Sequence, residues 1–417
     1  MAGTLEDAVV RTLRLWLWIT LCLALTGCSG PGRPIRVGVL HSLTGSLAGS
    51  ERNVADATLL AVEELNQSGG VLGRPLEPYL VDGQSSPQAF AEGARELLEK
   101  EVDVVFGCWS SACRKEVIPI LERNQCLLFY PVQYEGLEQS PYVVYTGAAP
   151  NQQLLPAVKW ASDNIGKKFY LVGSDYVYPH TAHEIARVQI EAIGGEVVGE
   201  RYVSNSGVEE AVAEIKATKP DVILNTVNGD TNLLLFSALR EAGIDSQGTP
   251  TMSLSLSEGL LREISPELVE GDYATWSYFQ SLETPENREF VAKFKRKYGA
   301  DRVTDAPTEA AYFGVHLWAQ AVELAQTTDS SQVRLTVVGQ AYAAPQGVVC
   351  IDSNQHTWKN VRVGQINAQR QFSIVWDSEW PVQPIPYPFF RSQAEWELFL
   401  TRLQDQWGGQ WQNPNNL

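Results

Sequence analysis

The residues best placed to meet a ligand cluster in the stretch Phe106 to Glu138, FGCWSSACRKEVIPILERNQCLLFYPVQYEGLE. Trp109-Ser110-Ser111 is a tight polar turn. Before it runs the apolar segment Val102 to Phe106; after it, from about Ala112 to Arg123, Val117, Ile118 and Leu121 form an apolar helical stripe. Backbone N–H groups and a serine hydroxyl at a helix start can donate to a carbonyl or an anion. The same serines can equally serve as plain helix caps. A second turn follows the short apolar run Leu127 to Tyr130 and carries Val132, Gln133 and Tyr134. Two further loops bring Tyr176 and Tyr178, then Asn228, Gly229 and Asp230. Together these loops offer hydroxyls, phenols, one carboxamide and one carboxylate, and no arginine that could clamp a carboxylate through two parallel bonds. That mixture suits a small, neutral, polar ligand with both a carbonyl and N–H donors. Asp230 reads either as an acceptor for ligand N–H groups or as a loop-capping aspartate. Arg114, one turn into its helix, is expected to serve the surface.

Catalytic patterns are absent. The chain has no Gly-x-Ser-x-Gly elbow, no His-Glu-x-x-His and no phosphate loop. Among five histidines, His180 and His183 are three apart, a spacing that can hold a metal, but a solvated helix face is the simpler expectation. Asp175, Asp230 and Glu309 lie near element ends without a partnered nucleophile or base. A binding protein without cofactor or metal is therefore expected, not an enzyme.

The elements that would position these loops alternate. Strands are expected at Ile35 to Leu40, Leu76 to Val81, Val102 to Phe106 and Leu127 to Tyr130. Helices between them run from about Val54 to Gln67, Ser86 to Lys100 and Ala112 to Arg123. A second alternating series starts near Leu154 and continues to Phe279. This is the pattern of α/β folds with doubly wound parallel sheets, here two lobes joined by a multi-strand hinge. The expected division is 34–148 plus 281–342 for the N-terminal lobe and 149–280 plus 343–380 for the C-terminal lobe. Residues 381–417 form a Pro-rich extended segment, a helix and a Trp-rich tail. In open α/β sheets ligands bind at the carboxyl ends of the strands, where all four loops fall.

A net charge of −17 over 417 residues, without a basic stripe, argues against nucleic-acid binding. At the start, Arg11 and Arg14 precede the apolar run Leu15 to Leu25, which closes on Leu-Thr-Gly-Cys at 25–28. Basic start, short apolar middle and small residues describe an export signal over 1–27, with 28–33 as a tether. The closing tetrapeptide looks like a bacterial lipobox. That likeness implies cleavage before Cys28 and a lipid on its sulfur; an unmodified secretory signal is the alternative. The remaining thiols, Cys108, Cys113, Cys126 and Cys350, are expected to be small buried residues, with one disulfide as the other reading.

From about Ile35 to Phe390 the chain resembles the type I periplasmic binding protein superfamily. Within it, the resemblance is to the branch of amide-binding sensors and urea ABC transporter substrate-binding proteins. The residues that carry this are Ser-Leu-Thr-Gly (42–45), Gly-Gly-Val-Leu-Gly-Arg-Pro (69–75), Leu-x-Tyr-Pro-x-x-Tyr-Glu-Gly (128–136) and Gly-Ser-Asp-Tyr-x-Tyr-Pro (173–179). The tail motif 387–396 and Cys28 point to the urea-transport members. The resemblance implies a lipid-anchored receptor at the outer face of the cytoplasmic membrane that passes urea or a short amide to an ABC permease. It places Ser111, with Trp109 and Ser110 beside it, against the ligand. Tyr130 and the backbone of Val132 and Gln133 would line one wall, and Tyr176 and Tyr178 the other. The amide sensors carry Tyr where this chain has Trp109, and a small hydroxyl then Pro where it has Val132 and Gln133.

Overall fold

A computed structural model describes residues 32–414. The signal segment and Cys28 lie outside the described residues. Two parallel sheets form the frame. The first has strands β1 (Ile35–His41), β2 (Leu76–Asp82), β3 (Val104–Gly107), β4 (Leu128–Tyr130) and β5 (Val143–Tyr145), in the order β2-β1-β3-β4-β5. All four pairings are parallel. The second contains β6 (Lys168–Ser174), β7 (Glu196–Val203), β8 (Val222–Thr226), β9 (Thr251–Ser253) and β10 (Tyr273–Trp276). Its spatial order, β7-β6-β8-β9-β10, repeats the plan of the first sheet. Strands this apolar, buried on both faces, need helices on both sides; β3, β6 and β8 are buried almost throughout.

The chain then returns. The helices Pro285–Tyr298 and Ala306–Ala325 pack against the helix Ala48–Gln67 of the first lobe. A small antiparallel sheet follows, with β11 (Ala341–Ala344), β12 (Gly347–Ile351) and β13 (Thr357–Trp358). His356, at its end, is bridged to Tyr145 of β5. Residues 343–358 therefore stand with the first lobe, and the expected boundary at 343 is corrected to about 359. Sequence spacing could not show this, because β12 is held by pairing to β11 and not by any pattern of its own. Next, β14 (Arg362–Ile366) and β15 (Phe372–Asp377) join the second sheet, antiparallel at its edge beside β10. Three chain passages thus cross between lobes, after β5, after β10 and after β13.

Two corrections concern side chains expected at the surface. Arg114 is fully buried, because the loop that follows β4 folds back over its helix face. His183 is also fully buried, bonded to Glu200 at 3.0 Å and to Thr226 at 2.8 Å. His180 lies flat on Tyr202 with ring centroids 3.4 Å apart. Among the described residues, no cluster of three or more His, Cys, Asp or Glu side chains has a metal-holding arrangement. Cys108, Cys113, Cys126 and Cys350 are free thiols, the first three buried. No helix of the described residues is long and apolar enough to cross a membrane.

Candidate functional site

In each sheet the strand order reverses direction once, between β1 and β3 in the first and between β6 and β8 in the second. The crevice outside such a reversal is where an open α/β sheet binds ligands. Here the two crevices face each other. A cavity of ≈ 440 Å³ lies between them, within the range of small-molecule sites. The first lobe lines it with Ser46, Ser85, Trp109 and Ser110, the second with Tyr176, Asn228 and Asp230, and the C-terminal tail with Gln412 and Asn413. No lysine or arginine is among the lining residues, whereas Asp175 and Asp230 are.

The Trp109 turn is fixed from beneath. Gly107 passes so close to β1 that a Cβ there would stand 2.2 Å from the Leu40 carbonyl oxygen, so only glycine fits. Cys108 follows with φ of 67°, a left-handed conformation uncommon outside glycine. Its N–H donates to Leu40 O at 3.0 Å. Tyr130 O–H donates to the Trp109 carbonyl at 2.6 Å and so ties the end of β4 to the turn. Ser110 does cap its helix, its Oγ accepting from Cys113 N at 3.2 Å, and it also lines the cavity.

Ser111 lies one layer deeper. It is buried; its hydroxyl donates to Glu135 and accepts from Arg114 Nη1 at 2.9 Å. Arg114 bonds Glu135 at 3.0 Å and Glu138 at 2.9 Å, and Lys115 bonds Glu138 at 2.9 Å. Two cations meet two carboxylates, so the buried cluster is neutral as a unit. Burial alone would raise the Glu138 carboxyl, but the charges of Arg114 and Lys115 outweigh it and hold that group at about 2. Arg114 also sits over the rings of Tyr130 and Tyr134, 4.8 and 4.7 Å from their centroids. Its donors are committed within the fold and are not offered to a ligand carboxylate.

At the lobe boundary a second group of polar atoms lacks partners. Gln133 Nε2 reaches across from the first lobe to Leu254 O at 3.1 Å, but its Oε1 accepts nothing. The Tyr178 hydroxyl and the Ser255 hydroxyl, both from the second lobe, are likewise buried and unbonded. These three groups face one another without a hydrogen bond of ordinary geometry. Burial pushes the Tyr178 phenol upward, and Glu135 nearby pushes it further, so it stays a neutral hydroxyl. Ser255 and Gln133 pull against both shifts, so the three groups interact with one another more weakly than in well-formed hydrogen bonds.

Of the sequence-derived candidates, Trp109, Ser110, Tyr176 and Asp230 meet at the cavity. Ser111, Tyr130, Val132, Gln133 and Tyr178 are buried and do not line it. Asp230 is exposed at the rim and its side chain makes no capping bond. Asn228, on the expected loop, donates from its Nδ2 to Tyr176 O–H at 2.9 Å; sequence reasoning missed Ser255, Glu135, Gln412 and Asn413. Glu135 sits inside the Tyr-Glu-Gly motif and was the one legible among them.

Comparison with known proteins accords with this geometry. The family described as periplasmic binding protein domain matches residues 35–393. A Leu/Ile/Val-binding protein homolog 6 of Brucella melitensis biotype 1 is 26% identical over 345 residues, 80% of this chain and 87% of that one. A stretch of 116 residues is 38% identical to limonene hydroxylase of Geobacillus stearothermophilus, but it spans only 28% of this chain and 21% of that protein. In fold, the chain is similar to a solute-binding protein of an ABC transporter from Rhodopseudomonas palustris BisB5, crystallised with 3,4-dihydroxybenzoic acid. The TM-score is 0.77 at 21% identity, covering 84% of this chain and 99% of that one.

Proposed function

The chain belongs to the periplasmic binding protein family matched over residues 35–393, and from that premise we propose that it binds urea or a short amide between its lobes and delivers it to an ABC permease. It is a solute-binding protein, not an enzyme, as are the relatives similar to it over most of their length. The observation that carries the ligand class is the uncharged, hydroxyl- and amide-rich wall at the lobe boundary, where Gln133, Tyr178 and Ser255 stand close together behind the cavity without hydrogen bonds of ordinary geometry. Urea has the complementary groups: a carbonyl that accepts from hydroxyls and N–H groups that donate to a carboxamide oxygen. The lack of any lysine or arginine around the cavity, with Asp175 and Asp230 in its wall, disfavours a carboxylate ligand electrostatically.

Because the ligand would bond to Gln133 from one lobe and to Tyr178 and Ser255 from the other, it stabilises the closed form over the open one by contacts made only on closure. The permease would then read the closed shape. Urea has four heavy atoms, and a ceiling of roughly −1.5 kcal/mol per atom gives about −6 kcal/mol, or tens of micromolar. A lipid on Cys28 would hold the receptor at the outer face of the membrane; mass spectrometry of the mature N-terminus reads this directly.

Isothermal titration with urea, acetamide and formamide, against leucine and 3,4-dihydroxybenzoate, tests the ligand class. Saturable binding of the neutral amides and none of the acids is the expected outcome. Tight binding of leucine would instead make the chain an amino-acid receptor of the same fold.

A further inference from the structure

The C-terminal helix Gln393–Gln406 is anchored in the second lobe by Trp396 and Trp407, both buried. Trp396 Nε1 donates to Pro388 O at 2.7 Å. Beyond it, residues 411–413 run antiparallel to the loop that carries Tyr176, with a bridge between Tyr176 and Gln412. Val177 N donates to Trp411 O at 3.0 Å, and Asn413 N donates to Asp175 O at 3.2 Å. Asn413 Nδ2 adds a bond to Asp175 Oδ2 at 2.7 Å. The tail thus behaves as an extra strand along the loop at the end of β6, and it brings Gln412 and Asn413 into the cavity wall.

One contact joins this tail to the other lobe. The ammonium of Lys115, on the first-lobe helix Ser111–Arg123, stands 4.6 Å from the Trp411 ring centroid. Lys115 is itself held by Glu138 at 2.9 Å and is 9% exposed. A largely desolvated cation over an indole face is the stronger form of this interaction. Opening the cleft would separate the two residues, so the contact belongs to the closed form alone.

We infer that the C-terminal tail is a third wall of the ligand cleft and that Trp411, gripped by Lys115, is a positioning residue that latches the lobes shut over the ligand. The inference rests on the ligand reading above for its probe and on the tail contacts alone for its geometry. Gln412 presents a carboxamide to the cavity, which is apt for an amide-like solute.

The test uses the mature chain and titration with urea. Trp411→Ala and Lys115→Met each weaken binding about 3- to 30-fold, by faster release and not slower capture. The double variant loses no more than the stronger single one, and Trp411→Phe restores most of the affinity. Thermal midpoints of the Trp411 variants stay near wild type, since the ring is half-buried. Unchanged release rates, or losses that simply add, overturn the latch. If wild type binds neither urea nor acetamide, the ligand reading fails and the latch is judged by small-angle scattering of the ligand-free chain. There Trp411→Ala must enlarge the radius of gyration, and an unchanged radius rejects the latch.

Discussion

The guanidinium of Arg114 meets the carboxylate of Glu135 at 3.0 Å with neither side chain exposed. Because Glu138 and Lys115 complete the group, charge balances within one buried layer under the cleft. Removing one cation breaks that balance. Arg114→Met is expected to cost about 3–5 kcal/mol of stability, the cost of leaving a buried charge unpaired. Adding Glu135→Gln to it restores part of the loss, because Lys115 and Glu138 then remain as a pair. Thermal unfolding is the appropriate measure, since urea is the candidate ligand. Equal melting of Arg114→Met and wild type would show that the cluster is not a buried charge network.

The polar trio at the lobe boundary makes a prediction with two opposite signs. Tyr178→Phe removes an oxygen that makes no hydrogen bond of ordinary geometry in the ligand-free fold. It should leave stability unchanged or raise it slightly, while weakening urea binding by about 1–3 kcal/mol. A contact that merely held the fold together would lower stability instead. Calorimetric titration and thermal melts on the same samples separate the two.

Ser111 is set apart from that trio by its bonds. Its hydroxyl already serves Glu135 and Arg114, so Ser111→Ala leaves a buried carboxylate oxygen short of a donor. A stability loss of about 1–3 kcal/mol is expected. Binding of urea should weaken with it if Ser111 reaches the ligand through its backbone or through the orientation of Glu135. An affinity equal to wild type would confine Ser111 to the supporting layer.

These distinctions mark what the amino-acid order could reveal. Period and end signals located the strands and helices of both lobes, because buried parallel strands and amphipathic helices carry their own patterns. β5 was not foreseen: its three residues, Val143–Tyr145, are too few to show a period. The cleft loops were legible because they follow strand ends. The burial of Arg114 was not, because it depends on where the loop 131–138 folds back, which no local pattern encodes. Ser255 and Gln412 escaped for the same reason; each reaches the cleft through packing between segments far apart in the chain.

Three imidazoles give the protein a pH dependence. Burial pulls His356 and His316 down to about 4 and lowers His183 as well. Folding therefore requires their neutral forms. Below the unfolded value of about 6.5 the unfolded chain takes up protons that the folded chain refuses. The stability these groups contribute is complete above that value and is lost as pH falls towards 4. For His356 the loss at pH 5 is about 2 kcal/mol. His356→Gln should remove that share, so that its melting temperature falls less than wild type between pH 7.5 and 5. Parallel curves for the two proteins would show that His356 protonates in the folded state.

The hinge supplies a last test. Glu309, on the helix Ala306–Ala325, is fully buried and accepts from Gln346 Nε2 at 2.8 Å. Lys359 stands in the third interlobe passage, also buried, and donates to the Thr146 carbonyl at the end of β5. Burial drives the Glu309 carboxyl up and the Lys359 amine down, while their mutual attraction opposes both shifts. Lys359 thus ties the third passage to the first through Thr146, with the charge of Glu309 acting on it from the helix beneath. Lys359→Met should cost about 1–3 kcal/mol by leaving the buried Thr146 carbonyl short of its donor, and adding Glu309→Gln should recover the part of the loss that comes from Glu309 losing its facing charge. A double variant no more stable than the single one would mean that the two side chains do not interact. If the pair also sets the lobe angle, the double variant should shift urea affinity without touching any cavity residue. Titration beside the melting curves would distinguish a hinge that only stabilises the fold from one that tunes closure.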